Sequence, residues 1–425
     1  MSMPSKLERV ACGLSFPSSL TFADDGTTYV GESGVPFGEG APQGRVWRLA
    51  AAGSWELVAD GLGRPLNGLA WHAGSLYVSC GDDPGRIVRI DDDGSRTVLI
   101  DGLPGPGNYH VGTIAVGPDE KLYFPQGAMT NMAIIGLDAY ELGWLKRLPH
   151  ACDEPGLDVV LTGVNARTED PFATNGSTTE TGAFGPFGHR DEPGRRIAAR
   201  VPCTASVMRC DLDGSNLELV AWGLRNAYGL LFLPDGRLIA TDQGGDDRGS
   251  RPIGDVPDLL FYVQQGRWYG WPDFVGGTPV TDPRFRALRG PELSFVLANH
   301  DELPPPEPAL MEFPTHVSAV KLDVAPSWAG DYAGHLFIAL FGDERPMTAP
   351  EGPRAGRSIV RVDPTDWSLH PFATDGVDGL HRPIDLKFHP QERALYVLDF
   401  GRFEMTGEKT VSAEADTGGL VRISF

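Results

Sequence analysis

Six times along this chain one phrase returns: an apolar strand, a tight Gly or Asp turn, a second strand of aromatic or β-branched residues, then a third strand. The first copy runs Ser19-Leu20-Thr21-Phe22, Asp24-Asp25-Gly26, Thr28-Tyr29-Val30, with Arg45 to Leu49 after it. The second carries Asn67 to Trp71, Leu76-Tyr77-Val78 and Arg86 to Ile90. The later copies are marked by Leu122-Tyr123-Phe124, Leu238-Ile239-Ala240, Leu336-Phe337-Ile338-Ala339 and Leu395-Tyr396-Val397-Leu398. A repeat of roughly 45–50 residues marks a radial array, because one four-stranded unit cannot bury both of its faces alone. The expected fold is therefore all-β: a six-bladed β-propeller spanning residues 1–425 as a single domain. Function is then confined to the loops that converge on the central channel.

The ends of the chain predict how the ring closes. Lys6 to Cys12 reads as an outer strand with no blade in front of it, while the last blade, from Ile384 onward, has only three strands. The N-terminal strand is expected to complete the C-terminal blade and remove the open edges. One unit departs from the pattern. Blade three carries an irregular insertion at about 132–203, longer than loops usually are without a functional role or disorder. Its segment Leu137 to Leu148 has helical apolar spacing, and a lid over the channel mouth or surface decoration are both open readings.

Composition narrows the partners. A net charge of −21 opposes nucleic-acid phosphates and suits cations. No apolar run is long enough for a membrane span. Met1-Ser2-Met3-Pro4 runs straight into a strand, so no signal peptide is visible and the chain reads as cytoplasmic or trimmed. The five cysteines lack zinc spacing; most read as small buried hydrophobes, and Cys152 with Cys203 are a possible disulfide in an oxidising compartment.

In a propeller, the segment before each innermost strand and the loop after the second strand open on the same end. The first set supplies Arg64, Asn67, His110, Arg225, Asn226, His316 and Arg382; the second supplies Glu32, Asp82, Gln126, the run Asp242 to Asp247, Asp343-Glu344-Arg345 and Arg402. Recurring Arg and His predict a basic cup for an anionic ligand. His110 suits a general base, since imidazole titrates near neutrality, or is a structural histidine. Arg225 suits stabilisation of oxyanion charge, or is a surface ion pair. The acidic run with Gly244 and Gly245 offers carboxylate and carbonyl oxygens of the kind Ca²⁺ takes, without EF-hand spacing. Trp268-Tyr269-Gly270-Trp271-Pro272 reads chiefly as packing. A phosphate-binding Gly loop, a Gly-x-Ser-x-Gly elbow and His-Glu-x-x-His are all absent from the sequence.

Gly223-Leu224-Arg225-Asn226, the Asp-Gln-Gly-Gly-Asp-Asp run and Gly266-Arg267-Trp268-Tyr269-Gly270-Trp271-Pro272 resemble the glucose/sorbosone dehydrogenase family of six-bladed propellers. His110 before Gly112, with Gly117 to Tyr123 after it, is similar to that family's base-bearing blade. The resemblance implies oxidation of an aldose, or a related alcohol, by pyrroloquinoline quinone (PQQ) held through Ca²⁺. By similarity, His110 would take the hydroxyl proton, Arg225 and Asn226 would hold the quinone oxygens, and Arg382 would pair with a cofactor carboxylate. Asn67 and Gln243 would complete the cofactor set. Gly244 and Gly245 carbonyls, with Asp246, would hold Ca²⁺. Phe341 to Arg345 departs from the pattern: Arg345 would stand in for a family lysine, beside Asp343 and Glu344, which would repel a tricarboxylate. Lacking Cys-x-x-Cys-His, the chain would pass electrons to a separate acceptor, and relatives of this kind are commonly exported. Two other readings remain open: a non-catalytic carbohydrate- or partner-binding propeller, and a metal-dependent lactonase using Glu32, Asn67 and Asp242.

Overall fold

The computed structural model describes residues 6–35, 43–50, 53–105, 107–374 and 379–425, so that Met1 to Pro4 and Pro106 lie outside it. Six sheets repeat one meander. Blade one comprises Pro17–Phe22, Thr28–Glu32, Gly44–Leu49 and Trp55–Leu62, and blade two comprises Leu66–His72, Ser75–Cys80, Gly85–Asp91 and Arg96–Leu103. Blades four, five and six begin at Ala227–Phe232, Ala319–Val324 and Pro383–Phe388. The first strand of each blade packs against the first strand of the next, all the way round to blade one, so the array is a closed ring.

Closure occurs as the chain ends predict. Lys6–Leu14 pairs antiparallel with Gly418–Ser424, from Lys6 opposite Ser424 to Leu14 opposite Gly418. That strand makes the fourth, outermost strand of blade six and ties the two ends of the chain into one sheet.

Buried polar groups stitch the inner strands together. Lys321, 3% exposed, points inward from blade five. Its ammonium donates to the Ser18 carbonyl at 2.7 Å and the Asn67 carbonyl at 2.6 Å, and lies 3.3 Å from Asp385 Oδ2. Three other blades thus meet on one side chain. Burial lowers the Lys321 pKa to about 8, with Asp385 acting against the shift. A buried cation this well paired is costly to disrupt rather than a large net source of stability.

Blade three is formed by Ala115–Val116, Lys121–Gln126, Ser206–Asp211 and Glu218–Trp222, with Arg267–Trp268 added in parallel at its outer edge. Trp268 is fully buried and stacks on Trp222 at 6.4 Å, so the aromatic run is packing, as expected. The insertion lies between the second and third strands of this blade. Its helical segment is two short helices, Leu137–Glu141 and Trp144–Arg147, because Gly143 adopts a left-handed conformation (φ 85°) between them. The insertion also contributes the hairpin Asn165–Glu169 with Thr178–Gly182. All five cysteines are free, which corrects the disulfide reading. Cys152 packs in the small cluster around Met129 and Trp144, whereas Cys203 belongs to the main core with Trp222.

Candidate functional site

The turn entering blade four carries the most connected side chain at the channel mouth. Gly223 (φ 90°) turns the chain, and the Arg225 and Asn226 amides then donate to the two oxygens of Asp242 at 3.2 and 2.7 Å. Blade six uses the same device, with the His381 and Arg382 amides on Asp399. In both of these blades the aspartate ending the second strand fixes the turn that precedes the first.

Held this way, the Arg225 guanidinium is 5% exposed and has every donor engaged. It donates to the Asn131 carbonyl at 3.0 Å, Asn131 Oδ1 at 2.7 Å and the Gln243 carbonyl at 3.3 Å, and also to the Gly244 carbonyl and the Tyr109 hydroxyl. It pairs with Asp246 at 2.9 Å. Arg248 approaches the same carboxylate at 3.0 Å and reaches Asp138 at 2.7 Å. The Tyr109 hydroxyl donates to Asp246 at 3.0 Å. Burial works against the Asp246 charge, but Arg225 and Arg248 together outweigh it and hold the carboxyl below its usual range.

This network forms one wall of a polar cavity of about 150 Å³, with Gln243, Asp258, His316, Ser318, Asp343 and Glu344 on its other walls. Two arginines there face four carboxylates, Asp246, Asp258, Asp343 and Glu344, so the mouth is not the basic cup that recurring Arg and His suggest. Desolvation keeps part of this charge in check. It pushes Asp258 up to about 6 and raises Glu344, and the neighbouring Asp242 is pushed up to about 7.

The other sequence-nominated residues divide between this wall and its supports. Gln243 and Gly244 line the cavity. Asn226 sits one step behind, its amide on Gln243 Oε1 at 2.7 Å, while Gln243 reaches Ser318 at 2.7 Å. Gly245 is packed so tightly that an added Cβ would lie 2.3 Å from Ile253. His110 follows Tyr109 in sequence but is not among the side chains lining the cavity. Burial lowers its pKa to about 4, so the imidazole is neutral, and its Nδ1 is buried without a hydrogen-bond partner. Asn67 is directed along the ring, donating to the Val111 carbonyl at 3.0 Å.

Arg382 is 1% exposed and holds the carbonyls of Phe341, Gly342, Asp343 and Phe403. Its guanidinium thus shapes the loop bearing Asp343 and Glu344 and does not face the cavity openly. Arg345 turns away to the Pro353 carbonyl. Of the residues suggested for a lactonase site, Glu32 accepts the Ser15 amide on one oxygen and has the other 3.8 Å from Arg45, Asp242 caps its turn, and Asn67 donates to the Val111 carbonyl.

Sequence reasoning missed Tyr109, Asn131, Asp138 and Arg248. Tyr109 adjoins His110, and Arg248 closes the acidic run, so position alone pointed at both. Asn131 and Asp138 lie in or beside the insertion, where no strand period places them.

A second cavity of about 410 Å³ opens beside the first and shares Leu142, Arg248, Glu344 and Met347 with it. Its walls are the first insertion helix and the blade-six hairpin Phe403–Gly407 with Thr410–Ala413. An ion pair at 2.5 Å, Lys409 with Glu141, ties these walls together.

No protein-family model matches the chain. Quinoprotein glucose dehydrogenase B of Acinetobacter calcoaceticus is 22% identical over 363 residues, which are 77% of this chain and 66% of that protein, just under two thirds of its length. Among solved structures, the PQQ-bound aldose sugar dehydrogenase of Streptomyces coelicolor is similar with a TM-score of 0.57 at 14% identity, covering 100% of this chain and 99% of that one. The calcium structure of the Trichoderma reesei Carbohydrate-Active Enzymes Family AA12 protein gives 0.57 at 15% identity, covering 100% and 98%. The holo PQQ domain of Coprinopsis cinerea pyranose dehydrogenase gives 0.55 at 14% identity, covering 99% and 95%. The structural matches establish the propeller architecture, and the sequence match links it to a quinoprotein. The chain has the six-bladed β-propeller fold of these structures and is similar in sequence to a quinoprotein glucose dehydrogenase.

Proposed function

We propose that the protein is a sugar or polyol oxidoreductase that works with PQQ and Ca²⁺ at this mouth. One observation carries the reading: the Gln243 and Gly244 carbonyls and Asp246 converge on a positive charge, at present the guanidinium of Arg225. Hard oxygens arranged around a cation are the donor chemistry that Ca²⁺ requires. Among the described residues no group of three or more His, Cys, Asp or Glu is placed to hold a metal. Main-chain carbonyls and the cofactor itself would therefore supply most of the coordination, with the Gly245 carbonyl and Asp246 at its edge.

Tyr109, Arg248 and the Asn226–Gln243 pair would offer hydrogen bonds to quinone oxygens, and Arg225, whose donors are all engaged, would join them only by exchanging one of its present acceptors. When bound, the quinone supplies the two-electron acceptor that the polypeptide lacks. Asp258 and Glu344, with raised pKa values, take up protons as an anion approaches and so lessen the repulsion. Arg382 holds the Phe341 to Asp343 loop against the mouth, and Arg345 fixes the loop that follows.

The proposed acceptor of the substrate hydroxyl proton is His110, whose imidazole is neutral because burial lowers its pKa to about 4, although it lies behind the cavity wall and not in it. His316 is a second candidate because it lines the cavity itself. Electrons would leave to a separate acceptor. The test is reconstitution with PQQ and Ca²⁺, followed by aldose- or polyol-dependent dye reduction. Activity that needs both additions, and falls in His110→Ala with the fold intact, supports the proposal; no turnover with any aldose or polyol under saturating cofactor rejects it.

A further inference from the structure

The larger cavity differs in chemistry from its neighbour. Leu137, Leu142, Met347, Phe403, Met405 and Val411 form the apolar part of its wall, alongside charged residues such as Asp138, Glu141, Arg289 and Glu408, whereas the smaller one has only Leu142 and Met347 as aliphatic side chains among its charged and amide groups. Size separates them further. Small-molecule pockets usually occupy about 300–1,000 Å³, a range that 410 Å³ meets and 150 Å³ does not. The large one therefore has room for an apolar substituent beside the mouth.

Two further observations point to a ligand. Leu142 is 49% and Val411 37% exposed, yet both sit on this one cavity rather than being scattered over the surface. The Thr168 hydroxyl, from the insertion hairpin, also lines the cavity and is buried without a partner. Shared walls at Leu142, Arg248, Glu344 and Met347 make the two spaces continuous in lining.

We propose that the large chamber is a tail subsite, and that the substrate is an amphipathic sugar or polyol derivative, one carrying an alkyl or aryl substituent away from the hydroxyl that is oxidised, rather than a free hexose. An alkyl glycoside serves as a binding probe for such a molecule. The head occupies the polar cavity, the apolar substituent lies against Met405, Phe403 and Met347, and Thr168 bonds an oxygen at the junction. The ion pair Lys409–Glu141 holds the hairpin against the insertion, Arg289–Glu408 ties it to the long blade-four loop, and the two so shape the chamber. This rests on reading the polar cavity as the hydroxyl-binding site, and its test measures binding alone, so absence of redox turnover leaves it standing.

Octyl β-glucoside (below its micellar concentration), glucose and 1-octanol are titrated calorimetrically into the full chain, with and without PQQ and Ca²⁺. Octyl glucoside is expected to bind at least tenfold more tightly than either of the others. In Met405→Asp the advantage over glucose falls below threefold, while Met405→Leu keeps it. Should Met405→Asp not fold, Val411→Asp, at a half-exposed hairpin position, makes the same test. Equal affinity for octyl glucoside and glucose overturns the tail subsite, as does an advantage that survives the aspartate. Octanol binding as tightly as octyl glucoside overturns the two-part ligand.

Discussion

Arg225 and Asp246 lie 2.9 Å apart, nearly enclosed, with Arg248 on the other side of the same carboxylate. One negative group therefore holds two guanidiniums at the channel mouth. Removing one partner of a buried pair leaves uncompensated charge and costs about 3–5 kcal/mol. Asp246→Ala is expected to lose stability of that order in denaturant melts, more than Asp138→Ala, which leaves Arg248 its second partner. A change under 1 kcal/mol in Asp246→Ala would show that the network contributes little.

The two candidate histidines are separable by kinetics. With His110 as base, His110→Asn lowers kcat by about 10²–10⁴-fold, and the wild-type kcat/KM stays level from pH 7 down to about 5, because its pKa is pushed down to about 4. His316→Asn then changes KM more than kcat. The reverse pattern would move the role to His316.

Stability should depend on pH through the buried carboxylates. Asp153 and Asp258 are pushed up to about 6 and Asp242 to about 7, each chiefly by burial, against 3.8 when exposed. Between about pH 4 and 7 the folded state thus binds more protons than the unfolded chain, so these groups make stability fall as pH rises through that window. Asp258→Asn should flatten the change in Tm between pH 5 and 7 whatever its effect on the absolute value. An unchanged slope would mean that Asp258 is not a contributor.

The same protonation bears on anion binding. PQQ affinity should rise as pH drops from 7.5 to 5.5, because Asp258, pushed up to about 6 by burial, takes up a proton beside the bound carboxylates. Titration at the two pH values checks the direction; tighter binding at pH 7.5 would contradict it.

The ring was legible because blade repeats are periodic, and because Lys6 to Cys12 had no other strand to join. The charge of the mouth was not. Counting Arg and His at equivalent positions located Arg225 and Arg382 correctly along the chain but could not show that main-chain carbonyls saturate Arg382. Carbonyl acceptors have no sequence signature. The wall built by Asn131, Asp138 and Tyr109 was hidden for a related reason: it joins an aperiodic insertion to the blade-four turn. Lys321 looks like an ordinary polar position in a strand, and only closure of the ring reveals that it faces Asp385.

The most direct measurement is calorimetric titration of PQQ into the purified chain, with Ca²⁺ and with chelator. The account predicts saturable one-to-one binding at micromolar PQQ that requires Ca²⁺ and is lost in Arg225→Ala. No heat of binding in the presence of Ca²⁺, from protein whose melting shows it folded, would contradict it.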